Sequence, residues 1–490
     1  MELRILAALL FGAFISCVTA ISAQGSRLLV VLEDEAEKSK YGQFWLDLEE
    51  RGFQLTYRTP KDPSLSLFQH GVPAYSHLLL LPPGKSTKGL GPNLTPNLVA
   101  DFLNAGSNVM LALSGEQSVP SAIGSLVAEL DVTLSPDRNS MVVDHFNYDT
   151  KSAKESHDVL VLSGNDVSSK KSGVADFFSV DGLLAFPHAV GAALGNASPL
   201  LSSIIKAPAT AYPYNPKEEA EGVEDVFATG EQLSLVTAFQ ARNSARFTIL
   251  GSAEALEDSW FDATVQLPTP GAKASKTANK PFAQKLTGWA FKELGVIRSN
   301  AVTHHLSPSD PDAAKHPGPN TTALGVPLDV NPHMYRIKNQ VDYSIALSIW
   351  SPATGDWKPF SPPETDAVQL EFSMLSPFHR LNLAPSHTDA SATFFTTSFT
   401  IPDPHGIFNF FVEYRRPYLT NIEEKRTVTI RHFAHDEYPR SFVITAAYPW
   451  ISGIWMTVAG FVGFVALWLY SKPAAAAGAG GEKKEKEGRN

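Results

Sequence analysis

Residues 27–52 read RLLVVLEDEAEKSKYGQFWLDLEERG. The run Arg27-Leu-Leu-Val-Val-Leu32 is apolar without interruption and has the length of a strand, whereas Phe44, Leu46 and Leu48 carry a helical pattern that Gly52 stops. A strand apolar on both faces, followed by a helix, is the repeating unit of a mostly parallel sheet. The unit recurs. Phe53 to Tyr57 and Ser76 to Leu81 read as strands, Leu98 to Leu103 as a helix closed by Gly106, and Asn108 to Leu113 as a further buried strand.

This alternation resembles a flavodoxin-like or amidotransferase-like α/β domain spanning residues 24–147. A second α/β region, residues 148–300, is expected from strands at His157 to Leu162, Leu233 to Gln240 and Arg246 to Gly251, and from a helix at Pro281 to Leu294 ended by Gly295. Gly271 to Lys280 is small and polar and reads as a mobile loop. Residues 301–320 read as a linker, because Ser307 to Pro319 is rich in Pro, Asp and His and poor in apolar residues. Beyond it the period changes to two. Val341 to Trp350, Ala367 to Phe372, Ala392 to Ile401, Phe408 to Tyr414 and Arg426 to Arg431 are strands separated by Pro, Gly and Asp clusters, which predicts a β-sandwich over residues 321–446.

The two ends fix a topology. Tyr448 to Tyr470 contains no charged residue and is bounded by Tyr448, Trp450, Trp468 and Tyr470. That is the length and the flanking chemistry of a helix crossing a hydrocarbon core of about 30 Å. Arg4, the apolar run Ile5 to Val18, and the small residues Ala20 and Ala23 make residues 1–23 a secretory signal peptide. Lys472, Lys483, Lys484, Lys486 and Arg489 outnumber Arg431 and Arg440 on the other side, so the tail 471–490 is expected in the cytosol and the body in the lumen. The tail itself, with its Ala-Gly run and Glu-Lys mixture, has a disordered composition.

Cys17, inside the signal segment, is the only cysteine. Thiol catalysis, disulfide exchange and Cys-ligated zinc are therefore excluded from the body. With 43% apolar residues, more than 400 positions bury enough core to fold without staples. Thermal unfolding is accordingly expected to be indifferent to dithiothreitol; a shift of several degrees on reduction would contradict this reading. A net charge of −10 and a pI near 5.8 argue against nucleic acid as a partner.

Signals for chemistry are sparse. Glu33-Asp34-Glu35 follows the first strand, at the edge where open α/β sheets hold ligands, but acidic residues equally suit the first turn of the next helix. Asp310-Pro311-Asp312 has a metal-binding D-x-D spacing but falls in the expected linker, where chance accounts for it. His432, His435 and Asp436 suit a solvated strand end, and His304-His305 point to two faces of one strand. H-E-x-x-H, G-x-S-x-G and P-loop patterns do not occur. No catalytic, cofactor-binding or metal residue is assigned, no cofactor is implied, and the chain does not read as an enzyme by itself.

Three N-x-[ST] tripeptides mark glycosylation acceptors at Asn93, Asn196 and Asn320, the first followed by Pro96, which makes a poor acceptor. In the membrane segment, Gly453, Thr457, Gly460 and Gly463 recur at helical spacing and draw a strip of small residues, with Phe461, Phe464, Leu467 and Leu469 mostly elsewhere. Such a strip lets a partner helix approach closely.

Longer stretches carry a resemblance. Arg51 to Leu67, Val143-Asp-His-Phe-Asn-Tyr-Asp149, Pro187-His-Ala-Val-Gly191 and Gln240-Ala-Arg-Asn-Ser-Ala-Arg246 are similar to signature stretches of the 48 kDa, non-catalytic subunit family of eukaryotic oligosaccharyltransferase. Gly295-Val-Ile-Arg298, Asp342-Tyr-Ser344, Val368 to Phe372, Pro402-Asp403 through Gly406-Ile-Phe408, His435 to Phe442 and Ala447-Tyr-Pro449 continue it in order, over nearly the whole body and the span.

The resemblance implies a single-pass type I protein of the endoplasmic reticulum membrane, within the complex that moves oligosaccharide from dolichyl diphosphate to Asn of nascent proteins. It implies as partners the catalytic polytopic subunit and ribophorin-II-like and DAD-like subunits, with transfer chemistry belonging to the polytopic one. A di-lysine terminus, frequent in that family, is replaced here by Glu487-Gly-Arg-Asn490. The alternative function is a lumenal glycan-binding or carbohydrate-modifying module that uses the N-terminal α/β domain, with its site near Glu33.

Overall fold

A computed structural model of the chain describes residues 22–82, 90–91, 93–166, 176–195, 198–217, 227–312, 330–438 and 447–472. The signal segment up to Ile21 with Cys17, the acceptors Asn196 and Asn320, positions 313–329 and the tail beyond Lys472 lie outside the described residues.

The first strand, β1 (Arg27–Val31), pairs in parallel with β2 (Gln54–Arg58) on one side and β3 (His77–Leu80) on the other, and β3 pairs in parallel with β4 (Asn108–Ala112). The connection from β1 runs through a 3-10 segment, Glu35–Tyr41, into α1 (Gly42–Glu50). Asp34 caps that segment by accepting the Ala36 amide at 3.1 Å, and Gly52 closes the helix at a φ of 88°, where a side chain would be strained. Thr95 caps α2 (Pro96–Asn104) by accepting from the Leu98 amide, with Pro96 at the first helical position. Further elements are α3 (Ser121–Ala128), β5 (Val132–Leu134), β6 (Val159–Ser163), β7 (Leu183–Pro187), β8 (Ala192–Leu194), β9 (Leu201–Lys206), β10 (Leu233–Gln240), β11 (Arg246–Leu250) and α4 (Asn279–Ala290).

Nine of these strands form one sheet in the order β2-β1-β3-β4-β11-β10-β8-β5, with β9 paired to β10, while β6 and β7 pair with each other. Side chains alternate between two cores. Leu28, Val30, Leu79 and Met110 face the rings of Phe44 and Trp45 on α1 and of Phe282 and Trp289 on α4. Leu29, Val31, Leu78, Leu80, Val109 and Leu111 face Val99 and Phe102 on α2 and Ile123 and Leu126 on α3. Each such aliphatic side chain, taken out of water, contributes about 1.5–3 kcal/mol.

The sheet does not stop at the boundary expected near Asn147. Strand β4 is buried on both faces and takes its second parallel partner from β11, about 140 positions further along, with Val109 opposite Phe247 and Ala112 opposite Leu250. The segment Gly271 to Lys280 is also more ordered than expected. Ser275–Lys276 pairs with Thr264–Val265, and Asn279 is buried at the start of α4, its amide bonded to both the N–H and the carbonyl of Ala185.

The second half holds two five-stranded sheets. One runs β12 (Ile297–Leu306), β14 (Gln340–Ser351), β19 (Thr393–Thr400), β18 (Ala384–Thr388), with β15 (Asp356–Pro359) on β14. The other runs β13 (Met334–Arg336), β21 (Ile422–Arg431), β20 (Gly406–Tyr414), β16 (Gln369–Ser373), β17 (Pro377–Asn382). Rings from the two sheets meet: His304 stacks on Phe410 at 4.7 Å, Tyr343 on Phe410 at 5.4 Å, and Phe372 lies 5.2 Å from Phe399.

The expected linker is not one over its described part. Residues 301–306 belong to β12, and Asp310 and Asp312 are buried. Asp310 accepts from the Gln340 amide at 2.5 Å and from Asn339 Nδ2 at 3.1 Å; Asp312 accepts from the same Asn339 amide and pairs with Arg336. The D-x-D pair is therefore a polar clasp that ties the end of β12 to the start of β14. Residues 432–490 form a separate unit whose regular element is α5 (Tyr448–Tyr470).

Candidate functional site

Parallel strands end on one edge, so the loops after β1, β4 and β11 lie together. They deliver Glu33-Asp34-Glu35, Ser114-Gly-Glu116 and Ser252-Ala-Glu254. The antiparallel pair β6–β7, with Val159 opposite Pro187, adds the residues flanking that register, Asp158 and His188. The His188 amide donates to the Asp158 carbonyl at 3.0 Å, and the Gly115 amide donates to the His188 carbonyl at 2.8 Å. A Cβ on Gly115 would stand 2.9 Å from that carbonyl and 2.7 Å from Met141 Cβ, so only glycine lets the two loops meet. His188 holds a φ of 44°, a conformation that non-glycine residues adopt rarely and that clusters at functional sites.

One ligand atom from each of Glu116, His188 and Glu254 lies within 4.8 Å of the others. His188 Nδ1 is 3.5 Å from Glu116 Oε1, and its Nε2 is 3.6 Å from Asp158 Oδ2. The Ser114 hydroxyl donates to Glu254 Oε1, and Ser252 Oγ lies 3.5 Å from Glu254 Oε2. Burial pushes the Glu254 carboxyl up to about 7, against the Ser114 hydrogen bond. The Asp158 carboxylate holds the His188 imidazole above its ordinary value, and the imidazole in turn holds Asp158 below its own. The cluster thus gathers negative charge and lone pairs that are balanced by a proton or another cation.

Sequence reasoning missed this group because its members arise from three separate loops, none of which carries a recognisable spacing; the only hint was His188 inside the quoted stretch Pro187 to Gly191. The acidic triplet after β1 lies at the same edge, where Asp34 is occupied as a cap. His432 Nδ1 lies 3.1 Å from the Tyr438 hydroxyl. His304 and His305 diverge: His304 is buried against Tyr335 Oη at 2.7 Å, and burial depresses its imidazole to about 4, while His305 Nδ1 lies 2.9 Å from the Leu306 carbonyl. Asn93 donates to the Asp62 carbonyl at 3.3 Å and Thr95 is engaged as the α2 cap, so both ends of that acceptor tripeptide are in use.

Helix α5 is long and apolar enough to cross a membrane: 23 residues, about 34 Å at 1.5 Å per residue, with a mean hydropathy of 1.8 over an 18-residue stretch. A Cβ built on Gly453, Gly460 or Gly463 meets nothing within 4 Å among the described residues, and the Thr457 hydroxyl donates to the Gly453 carbonyl at 2.9 Å. The bulky residues, as expected, are not all elsewhere. Phe464 and Leu467 follow Gly460 and Gly463 by four residues and therefore share their face, which confines the small surface to the stretch before Phe464.

Comparison with known proteins covers nearly the whole chain. The family model for the OST48 N-terminal domain matches residues 19–293, and that for the OST48 middle domain matches residues 321–472. The dolichyl-diphosphooligosaccharide–protein glycosyltransferase subunit wbp1 of Schizosaccharomyces pombe is 32% identical over 457 residues, 93% of this chain and 94% of its own. The 48 kDa subunits of Caenorhabditis elegans and Arabidopsis thaliana are 30% and 29% identical, over 92% and 91% of this chain and 93% of each relative. A solved carbohydrate deacetylase, Agd3, aligns at 12% identity and a TM-score of 0.27 over 46% of this chain and 29% of its own, a likeness too slight to bear on fold or chemistry.

Proposed function

We propose, from the premise that this chain belongs to the OST48 family, that it is a non-catalytic subunit of the oligosaccharyltransferase complex and supports protein N-linked glycosylation. The observation that carries this is collinearity: two family models together span residues 19–293 and 321–472, and relatives named as subunits of that glycosyltransferase align over more than nine-tenths of both lengths. The transfer step belongs to a different, polytopic subunit in this reading, and the present chain acts by holding the complex together.

The finer parts of the reading follow from the same premise. The nine-stranded sheet is read as flavodoxin-like on its five parallel strands in the order β2-β1-β3-β4-β11, and the two five-stranded sheets as a sandwich on the stacking of His304, Tyr343 and Phe410. The body is lumenal in the endoplasmic reticulum, anchored by α5 with the tail in the cytosol. The strip Gly453, Thr457, Gly460 and Gly463 receives a helix of another subunit, and the neighbours are the catalytic, ribophorin-II-like and DAD-like subunits.

Depleting the chain in its own cells is expected to lower N-glycosylation broadly and to reduce recovery of the other subunits in mild detergent. Re-expression of a chain with Glu33→Ala, Asp34→Ala and Glu35→Ala restores both, since the triplet serves as a helix start whose loss costs about 1 kcal/mol. A folded, fully assembled triple variant that leaves glycosylation depressed would overturn the purely structural role.

A further inference from the structure

We propose that Glu116, His188 and Glu254 bind one divalent first-row transition metal ion, with His188 Nδ1 and one carboxylate oxygen from each glutamate as ligands. Nδ1 of His188 is shut off from solvent and makes no hydrogen bond within the described residues, although it is a strong donor or acceptor in either tautomer. With Asp158 Oδ2 beside Nε2, the ring proton belongs on Nε2, and the lone pair of Nδ1 then faces Glu116 Oε1 at 3.5 Å. Two lone-pair atoms at that distance repel unless a cation stands between them. Ligands of a tetrahedral ion with bonds of about 2.0–2.1 Å are themselves about 3.4 Å apart, close to the 3.5 Å of the His188–Glu116 pair, with the Glu254 ligand atom within 4.8 Å of both.

The surroundings match those of a metal centre in a second respect. A ligating imidazole characteristically gives its other N–H to a carboxylate, and a ligating carboxylate is itself hydrogen-bonded. Asp158 Oδ2, 3.6 Å from Nε2, stands where the first partner belongs, and Ser114 supplies the second, with Ser252 beside the far oxygen of Glu254. Burial of Glu254 and exposure of Glu116, whose side chain is 61% accessible, leave the ion closed on the protein side and open to water on the other. The imidazole selects zinc, copper, iron or nickel over calcium and magnesium, which prefer oxygen alone. An ion here would pin together three loops far apart in sequence, those after β4, β7 and β11.

The full-length chain, purified in mild detergent and stripped with a chelator, is titrated with zinc chloride alone by calorimetry and followed by thermal unfolding. One equivalent is expected to bind, with a rise in the unfolding midpoint that magnesium does not reproduce. Glu116→Gln changes an exposed side chain and so leaves the fold intact; it and His188→Asn, which keeps a residue tolerant of positive φ, are expected to abolish the midpoint shift. Asp158→Asn weakens binding about 10- to 100-fold. Absence of zinc binding at about 100-fold molar excess, or equal binding by the Glu116→Gln and His188→Asn chains, would overturn the site and leave a protonated imidazole as the cation between the carboxylates.

Discussion

Replacing Arg246 by Met lowers the stability of the body by about 1–3 kcal/mol, while Arg242→Met, four residues earlier on an exposed surface, leaves it unchanged. Arg246 is fully buried, and its guanidinium meets main-chain carbonyls: Nη1 donates to Trp289 at 2.6 Å and Leu294 at 2.7 Å, Nη2 to Gly295 at 2.8 Å and to Tyr418 at 3.4 Å. Trp289 lies in the last turn of α4 (Asn279–Ala290) and Leu294 and Gly295 in the turn that follows, where the helix dipole favours a cation. Tyr418 comes from the connection between β20 and β21; its carbonyl also accepts from Trp289 Nε1 at 2.9 Å, and its ring packs edge-on against Phe178 and Trp289. The cost of burying the charge is real, since burial drops the guanidinium to about 9. Removing it relieves that cost but takes from the Leu294 carbonyl its one donor among the described residues, whereas the Trp289, Gly295 and Tyr418 carbonyls keep the Lys292 amide, the Thr420 amide and Trp289 Nε1; one orphaned acceptor costs about 1–3 kcal/mol, so loss prevails. Lysine at this position restores the charge without the planar fork and recovers only part. Thermal unfolding of the full chain, with limited proteolysis of the 415–421 connection, measures this; an Arg246→Met chain that melts and resists cleavage like the wild type would mean that water or relaxation replaces the arginine.

That arginine also marks where the sequence stops being readable. It was visible only as the last residue of a signature stretch, because its partners stand 43 to 172 positions away and no local pattern records them. Strands that bury both faces were legible from composition: Leu233–Gln240 has the bounds that its apolar run dictates, and Arg27–Val31 and Asn108–Ala112 differ from theirs by one residue. Elements held by polar contacts were not legible. Pro377–Asn382 and Ala384–Thr388 are mostly exposed and carry no apolar alternation, and Asp310 and Asp312 are buried by Asn339, Gln340 and Arg336 in a stretch whose composition says linker. The cluster around His188 fails the same test for the same reason. Its chemistry exists only once strand order has brought three loops to one edge.

In α5, Gly460→Leu is expected to cut recovery of partner subunits about tenfold in mild detergent, equivalent to about 1.4 kcal/mol of helix association, with insertion and orientation preserved. Among the described residues the new side chain meets no obstacle, because a Cβ at Gly460 has no atom of them within 4 Å, and leucine is favourable in the bilayer core. Any loss must therefore come from outside them. The face at risk is bounded. In the packing proposed above, Gly453, Thr457, Gly460 and Gly463 would allow close backbone approach around the middle of the helix, whereas Phe464 and Leu467 on the same side restore bulk beyond it, so a partner helix would approach near Gly460 and diverge toward Tyr470. Val462 stands two residues on from Gly460, about 200° around the axis, and Val462→Phe adds comparable bulk away from that face with no expected loss. Equal recovery of partners by the Gly460→Leu and wild-type chains would remove the strip as the interface and shift assembly to the body, where the seam held by Arg246 and Tyr418 would then have to keep the docking surface in shape.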